Sequence, residues 1–287
     1  MLARALTLAS TTTRVYMITL TVLSGCLLSV ELAFGRCASG NVTVWPPAST
    51  ELPPRPIIVV NGVGQEQAMI KHALERIRLV DENAQSVPLK IAMSHLDGYR
   101  FSQVVLTPTS DLNIGERYRL QFRRERVTYT KKESPPRKQL SAFSQARQRL
   151  NGQLRPIAWV IRDQLTEPTP SWIERPTDQV MGSTRFGCGV KMGAGRDGGG
   201  MPVASRGMGP LAYRVTLTSE STARSETAVE LPLRGRIRVG RGMCSGPFNV
   251  DLADSYTIQL APIDVAGRVG ELKTVKMNTD TEESRAP

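Results

Sequence analysis

The stretch LTPTSDLNIGERYRLQF, Leu106 to Phe122, sets an apolar residue, Leu112, six positions ahead of a tyrosine, Tyr118, and then begins to alternate. From Arg117 onward, Tyr118, Leu120 and Phe122 fall on one side of an extended chain and polar residues on the other, the period of a half-buried strand. The arrangement returns in CSGPFNVDLADSYTIQLAPIDVAG, Cys244 to Gly267, where Val250 precedes Tyr256 by six and another alternating run follows. One local plan is therefore written twice.

The flanking sequence repeats the period of two. VPLKIAMS (Val87 to Ser94) predicts a strand with Val87, Leu89, Ile91 and Met93 on its buried face. LAYRVTLT (Leu211 to Thr218) does the same with Leu211, Tyr213, Val215 and Leu217, and VELPLRGRIRVG continues with Val229, Leu231, Leu233, Ile237 and Val239. Shorter apolar runs, PIIVV from Pro56 and VVL from Val104, complete a series of short strands divided by turn residues. Helical spacing is confined to EQAMIKHALER (Glu66 to Arg76) and QLSAFSQARQRL (Gln139 to Leu150). Such a series predicts an all-β chain of sandwiches.

With the two tyrosines placed, the family resemblance follows. Leu112 with Tyr118, and Val250 with Tyr256, resemble the tyrosine corner of immunoglobulin-like sandwiches, in which a tyrosine opening the penultimate strand bonds backbone across the corner. The first half is similar to Ig-like domains of secreted bacterial proteins. The second, closing in YTIQLAPIDVAG, is similar to Ig-like or fibronectin-type modules. The resemblance spans most of residues 56 to 278 and implies two tandem Ig-like sandwiches that scaffold, space or bind, with no catalytic residue to carry over.

The N-terminus predicts export. Arg4 and Arg14 precede the apolar core VYMITLTVL, Val15 to Leu23. AFG at Ala33 to Gly35 offers an ordinary cleavage site, whereas LSGC at Leu23 to Cys26 looks like a bacterial lipobox that would acylate Cys26; an uncleaved anchor over 15 to 34 is the third reading. The chain carries 37 basic and 26 acidic side chains, a net +11, which in an exported protein points to acidic glycans or lipid head groups, or to an envelope protein partner, before nucleic acid. Beyond Cys26 there are three cysteines. Cys188 in FGCGV and Cys244 in GMCSG, each with glycines within two residues on both sides, are expected to pair across a loop of about 56 residues, worth roughly 4 kcal/mol in the chain-entropy model, leaving Cys37 over.

Proline and charge set the expected boundaries. They are a signal segment at 1–35, a Pro-rich tether at 36–55, a first domain at 56–131, a basic linker with a short helix at 132–153, a second domain at 154–278 and a tail at 279–287.

Few residues invite chemistry. GAGRDG, Gly193 to Gly198, has the G-x-G-x-x-G spacing, but the glycines and prolines that follow cannot open the helix a dinucleotide turn needs. His72 and His95, the only histidines, have no third partner for a metal or a base. Asp251, Asp254 and Asp264 gather near the second corner, where turn aspartates are commoner than a calcium site. The expectation is thus of no catalytic residue, cofactor or metal.

The strongest functional signal is a basic stripe. Arg117, Arg119 and Arg123 alternate outward, and Arg124, Arg126, Lys131 and Lys132 extend the charge; Arg236 and Arg238 form a smaller pair around Ile237. Arginines on an exposed strand also guard an edge against aggregation. The sequence therefore predicts a non-catalytic envelope module, with a polyanion-binding face or an accessory role beside an envelope enzyme or secretion assembly as alternatives.

Overall fold

The computed structural model describes residues 41–122, 157–163, 168–177, 179–186, 189–194, 201–207, 209–233, 235–237, 239–240, 246–251 and 254–279, and residues 40 to 287 form one compact unit. The export segment with Cys26, Cys37, the helix expected at 139–150, Arg123, Arg124, Arg126, Cys188, Arg238, Cys244 and the tail lie outside the described residues.

The strands of the first sandwich are β1 (Asn41–Trp45), β2 (Glu51–Leu52), β3 (Ile58–Val63), β4 (Ile77–Val80), β5 (Ser86–Val87), β6 (Leu89–Gly98), β7 (Phe101–Pro108), β8 (Arg117–Phe122) and β9 (Ile157–Ile161). One sheet has the order β1-β3-β7-β6 and the facing sheet β2-β9-β8-β4-β5, with β2 parallel to β9 and the other neighbours antiparallel. In immunoglobulin lettering these are A-B-E-D against A′-G-F-C-C′. Ile58, Val60, Leu79, Val104, Leu106, Leu120, Trp159 and Ile161 fill the space between them.

Three expected boundaries move. The Pro-rich tether is not a tether: it contributes β1 and β2, and Val42, Trp45 and Leu52 are core residues. Its prolines lack a donor but keep a carbonyl, and Trp159 Nε1 donates to Pro46 at 3.3 Å and Pro47 at 3.0 Å. Ile157 to Ile161, expected to open the second domain, instead pairs with β8 and completes the first. Residues 123–156 therefore connect adjacent strands of one sheet, where a linker between domains was expected. The cause is non-local: proline and charge punctuate a sequence equally well inside a domain and between two.

The second sandwich holds β10 (Ser171–Glu174), β11 (Gln179–Phe186), β12 (Gly189–Ala194), β13 (Met201–Pro202), β14 (Ala204–Arg206), β15 (Ala212–Ser219), β16 (Ser225–Glu230), β17 (Arg236–Ile237), β18 (Tyr256–Ile263) and β19 (Lys273–Thr279). Six of them form a sheet in the order β12-β11-β19-β18-β15-β16, with β11 parallel to β19 as β2 is to β9. Opposite lie two short pieces, β10-β14 and β13-β17. Met201, Ile237, Phe248, Ile258 and Leu260 form the centre of this core. The chain is thus two Ig-like β-sandwiches in tandem, the second with a fragmented A-B-E side.

Local detail departs from the pattern in three places. Ile91, expected inside, is 42% exposed on β6, an edge strand of its sheet; just beyond it the register of β6 on β7 shifts between Ile91 and Met93, so Ala92 is an extra residue that turns the alternation over and sets Met93 opposite Val105. Leu233, expected inside, is 67% exposed at the approach to β17. The helix expected from Glu66 to Arg76 is two single turns, Gln67–Lys71 and Ala73–Arg76, broken at His72, whose φ of −115° and ψ of 38° leave the helical region.

Candidate functional site

The basic face is built from strand pairing. On β8, Arg117 and Arg119 are exposed and alternate with buried Tyr118 and Leu120. Residues two apart on a strand share a face about 6.8 Å apart. β4 lies alongside, and its register sets Arg78 directly opposite Gln121. Residues directly opposite in a ladder share a face, so exposed Arg78 joins Arg117 and Arg119 in one slanting row. Arg78 was missed in the sequence, although IRLV from Ile77 carries the period of two that could have found it.

The acids near this face are engaged elsewhere. Glu116 accepts from Asn113 Nδ2 at 3.0 Å and from Tyr118 Oη at 2.8 Å, Glu51 pairs with Arg162 at 3.1 Å, and Asp111 pairs with Arg55. Among the described residues no ion pair involves Arg78, Arg117 or Arg119. Three unneutralised guanidinium groups on one face add their fields, and each presents a planar fork suited to carboxylate, sulfate or phosphate. Arg123, Arg124 and Arg126, which follow β8 in the sequence, lie outside the described residues; across 123–156 the sequence has ten Lys and Arg against two Glu.

Both tyrosines close a corner. The Asn113 amide donates to Tyr118 Oη at 3.1 Å and the Asp251 amide to Tyr256 Oη at 2.7 Å, each donor standing just after the buried Leu112 or Val250. Burial raises the pKa of both phenols, and that of Tyr213, from the ordinary tyrosine value.

The three aspartates near the second corner serve separate turns. Asp254 accepts from the Ser219 hydroxyl, from the Ser221 amide at 3.2 Å and from the Ser255 amide at 2.8 Å. These bonds, the Ser219 hydroxyl first, hold its carboxyl below the usual range. Asp264 is fully buried in its own turn, accepting from the amides of Ala266 and Arg268 at 3.0 Å each and from Arg268 Nε at 2.8 Å. Asp251 is exposed. No group of three metal-ligating side chains occurs among the described residues. A hollow of about 170 Å³ beside Asp254 is lined by Ser219, Thr222 and Glu226, and its hydroxyls are bonded in a chain, Thr222 donating to Ser219 at 2.7 Å and Ser219 to Asp254.

The remaining candidates do not converge. His72 is exposed, 3.8 Å from Glu75, whereas His95 is buried and bonded to the Pro247 carbonyl. In GAGRDG, Gly193 pairs with Gly182 and Ala194 with Met181 in an antiparallel hairpin, so the motif starts inside a strand and not at a turn into a helix; Gly195 to Gly198 lie outside the described residues. Arg236 lies on β17, in the other sandwich from the arginine row.

No family model matches the chain, and no curated protein matches it in sequence. Among solved structures it is similar to a chimeric titin Z1Z2, at 10% identity and a TM-score of 0.24, over 85% of this chain and 100% of that one. It is likewise similar to tandem Ig repeats of Dlar, at 8% identity and a TM-score of 0.25, over 84% and 97%. Fibronectin(III)-like modules of Clostridium thermocellum CbhA align at 7% identity and a TM-score of 0.22, over 86% and 98%. Scores this low speak to neither ligand nor site. Strand order within each sandwich and the two tyrosine corners define the class, a tandem Ig-like protein.

Proposed function

We propose that this chain is a non-catalytic module of the cell envelope, exported by its first 35 residues or anchored through Cys26, whose first sandwich offers a basic sheet face to a polyanion. The supporting observation is the row of Arg78, Arg117 and Arg119 on one solvated face with no acid among the described residues paired to it. Acidic glycan or phosphate-bearing lipid head groups fit such a face, because strand spacing repeats charge along a line as a linear polyanion does. A scaffold beside an envelope enzyme or secretion assembly is the second reading, suggested by two sandwiches packed as one unit.

Binding of the mature chain to heparin-like glycan and to anionic vesicles, measured against salt, tests the proposal. Affinity is expected to fall steeply with salt, and replacing Arg78, Arg117 and Arg119 by glutamine to flatten the slope by roughly 2 to 3 if each neutralises one charge. Unaltered binding in the triple variant would remove the face from the proposal; no binding by the wild-type chain at low salt would leave the scaffold reading. Intact mass of the mature protein, with and without reductant, would show where the chain begins, whether Cys26 is acylated and whether Cys188 is paired with Cys244.

A further inference from the structure

β7 is buried along both faces, from Phe101 to Leu106 without interruption. Its register explains why: Val104 and Leu106, paired with Val60 and Ile58, turn into the first core, so Gln103 and Val105, paired with Asn61 and Val59, turn out of it. The second sandwich covers that outer side. Ala212, Val229, Ile263 and Val265 belong to the same apolar cluster as the first core, the Ile57 amide donates to the Val265 carbonyl at 3.0 Å, and the Gly246 amide to the Tyr99 carbonyl at 2.9 Å. His95, its ring centroid 6.3 Å from that of Phe101 and 6.0 Å from that of Phe248, donates to the Pro247 carbonyl. A Cβ on Gly98 would lie 2.9 Å from the Gly246 carbonyl oxygen, so the two backbones meet there without room for a side chain.

Gln103 sits within this interface with no exposed surface. Its Nε2 donates to Asn61 Oδ1 at 2.8 Å and to the Val229 carbonyl at 2.7 Å, and its Oε1 accepts from the Val229 amide at 2.7 Å. Val229 belongs to β16, the edge strand of the six-stranded sheet. The carboxamide thus gives Val229 the donor and acceptor that a neighbouring strand would give. In an antiparallel ladder outward-facing amides recur every second residue, so Thr227 turns its N–H the same way, and among the described residues it has no such partner.

We propose that Gln103 is a latch: by standing in for a strand beside Val229 it fixes the second sandwich on the A-B-E-D face of the first in a single register, so that the two unfold as one body. Apolar contact alone tolerates sliding, whereas a buried amide is satisfied only where its partners lie opposite. A shift of β16 by one residue would set Gln103 against backbone groups that turn back toward β15, and a shift of two toward Thr227 would move Val229 out of the apolar cluster.

Native-state hydrogen exchange and calorimetry on the full chain test this. The wild-type Val229 amide is expected to exchange as slowly as the core amides of β7 and β18, with Thr227 much faster on the same edge, and unfolding to be a single transition. Gln103→Met keeps the volume and removes the bonds; Val229 exchange should rise by about 10- to 100-fold, and the single melt should broaden or split. If the variant fails to fold, the wild-type measurements decide. A Val229 amide as fast as Thr227, two independent wild-type transitions, or a Gln103→Met chain that melts and exchanges as the wild type does would each overturn the proposal.

Discussion

The two sandwiches share a corner and differ in the sheet behind it. Both open their penultimate strand with a tyrosine bonded to the amide five residues back, and both lay a strand parallel to the last one over a short stretch, two residue pairs in the first and three in the second. The first nevertheless has an unbroken four-stranded A-B-E-D sheet, whereas among the described residues the second has the two-stranded pieces β10-β14 and β13-β17 on that side. The difference follows the interface: the complete sheet is the one whose outer face the second sandwich covers, and its strands β3 and β7 are buried on both sides. A corner is a local device and is repeated with its sequence. A sheet buried on both faces needs a partner to bury it.

Core truncation breaks the comparison hardest. Trp159→Ala in the first sandwich and Phe248→Ala in the second each remove a side chain that is at most 1% exposed, at an expected cost of about 3–5 kcal/mol. In a latched pair both should lower one shared melting transition in calorimetry. Two transitions, each responding to only one substitution, would show that the sandwiches fold separately.

The corners should respond less and unequally. Tyr118→Phe loses the bond from Asn113 and the one to Glu116, Tyr256→Phe the bond from Asp251. Denaturant titration is expected to give about 2 and about 1 kcal/mol respectively. Equal losses would mean that the Glu116 bond contributes nothing to stability.

Asp254 separates the two corners by pH. Its folded carboxyl is held below the ordinary value, chiefly by the Ser219 hydroxyl, so its contribution is present above the unfolded pKa of about 4 and is lost as pH falls through the folded value. Asp254→Asn should therefore be destabilising at neutral pH, with the gap from wild type closing below about pH 4. A gap that stays constant down to acid pH would contradict the hydrogen-bond assignment.

The smallest effect belongs to the basic face. Replacing Arg78, Arg117 and Arg119 by glutamine should shift stability by no more than about 0.5 kcal/mol each, since no described ion pair is lost. A much larger drop in thermal unfolding would make these arginines structural and weaken the polyanion reading.

Alternation at Tyr118, Leu120, Val215 and Leu217 was legible in the sequence because a strand with one wet face writes its period of two into the chain, and the turn residues between such runs marked an all-β protein. Arg117 and Arg119 were legible for the same reason. The face of Met93 was not, since a single extra residue at Ala92 inverts the pattern without altering composition. Arg78 reaches the arginine row only through pairing with a strand some forty residues away.

By itself the sequence determined the half-buried strands, the two tyrosine corners and the excess of positive charge, all set by neighbours within a few residues. Tertiary structure decided that Ile157 to Ile161 closes the first sheet across a 34-residue connection, and that Val42, Trp45 and Leu52 are core and not tether. It also decided that the runs around Val59 and Val105 are buried on both faces because a second sandwich lies on them, with Gln103 bonded to both backbone groups of Val229 at its edge. Periodicity records which side of a strand is dry; only the folded chain shows what keeps it dry.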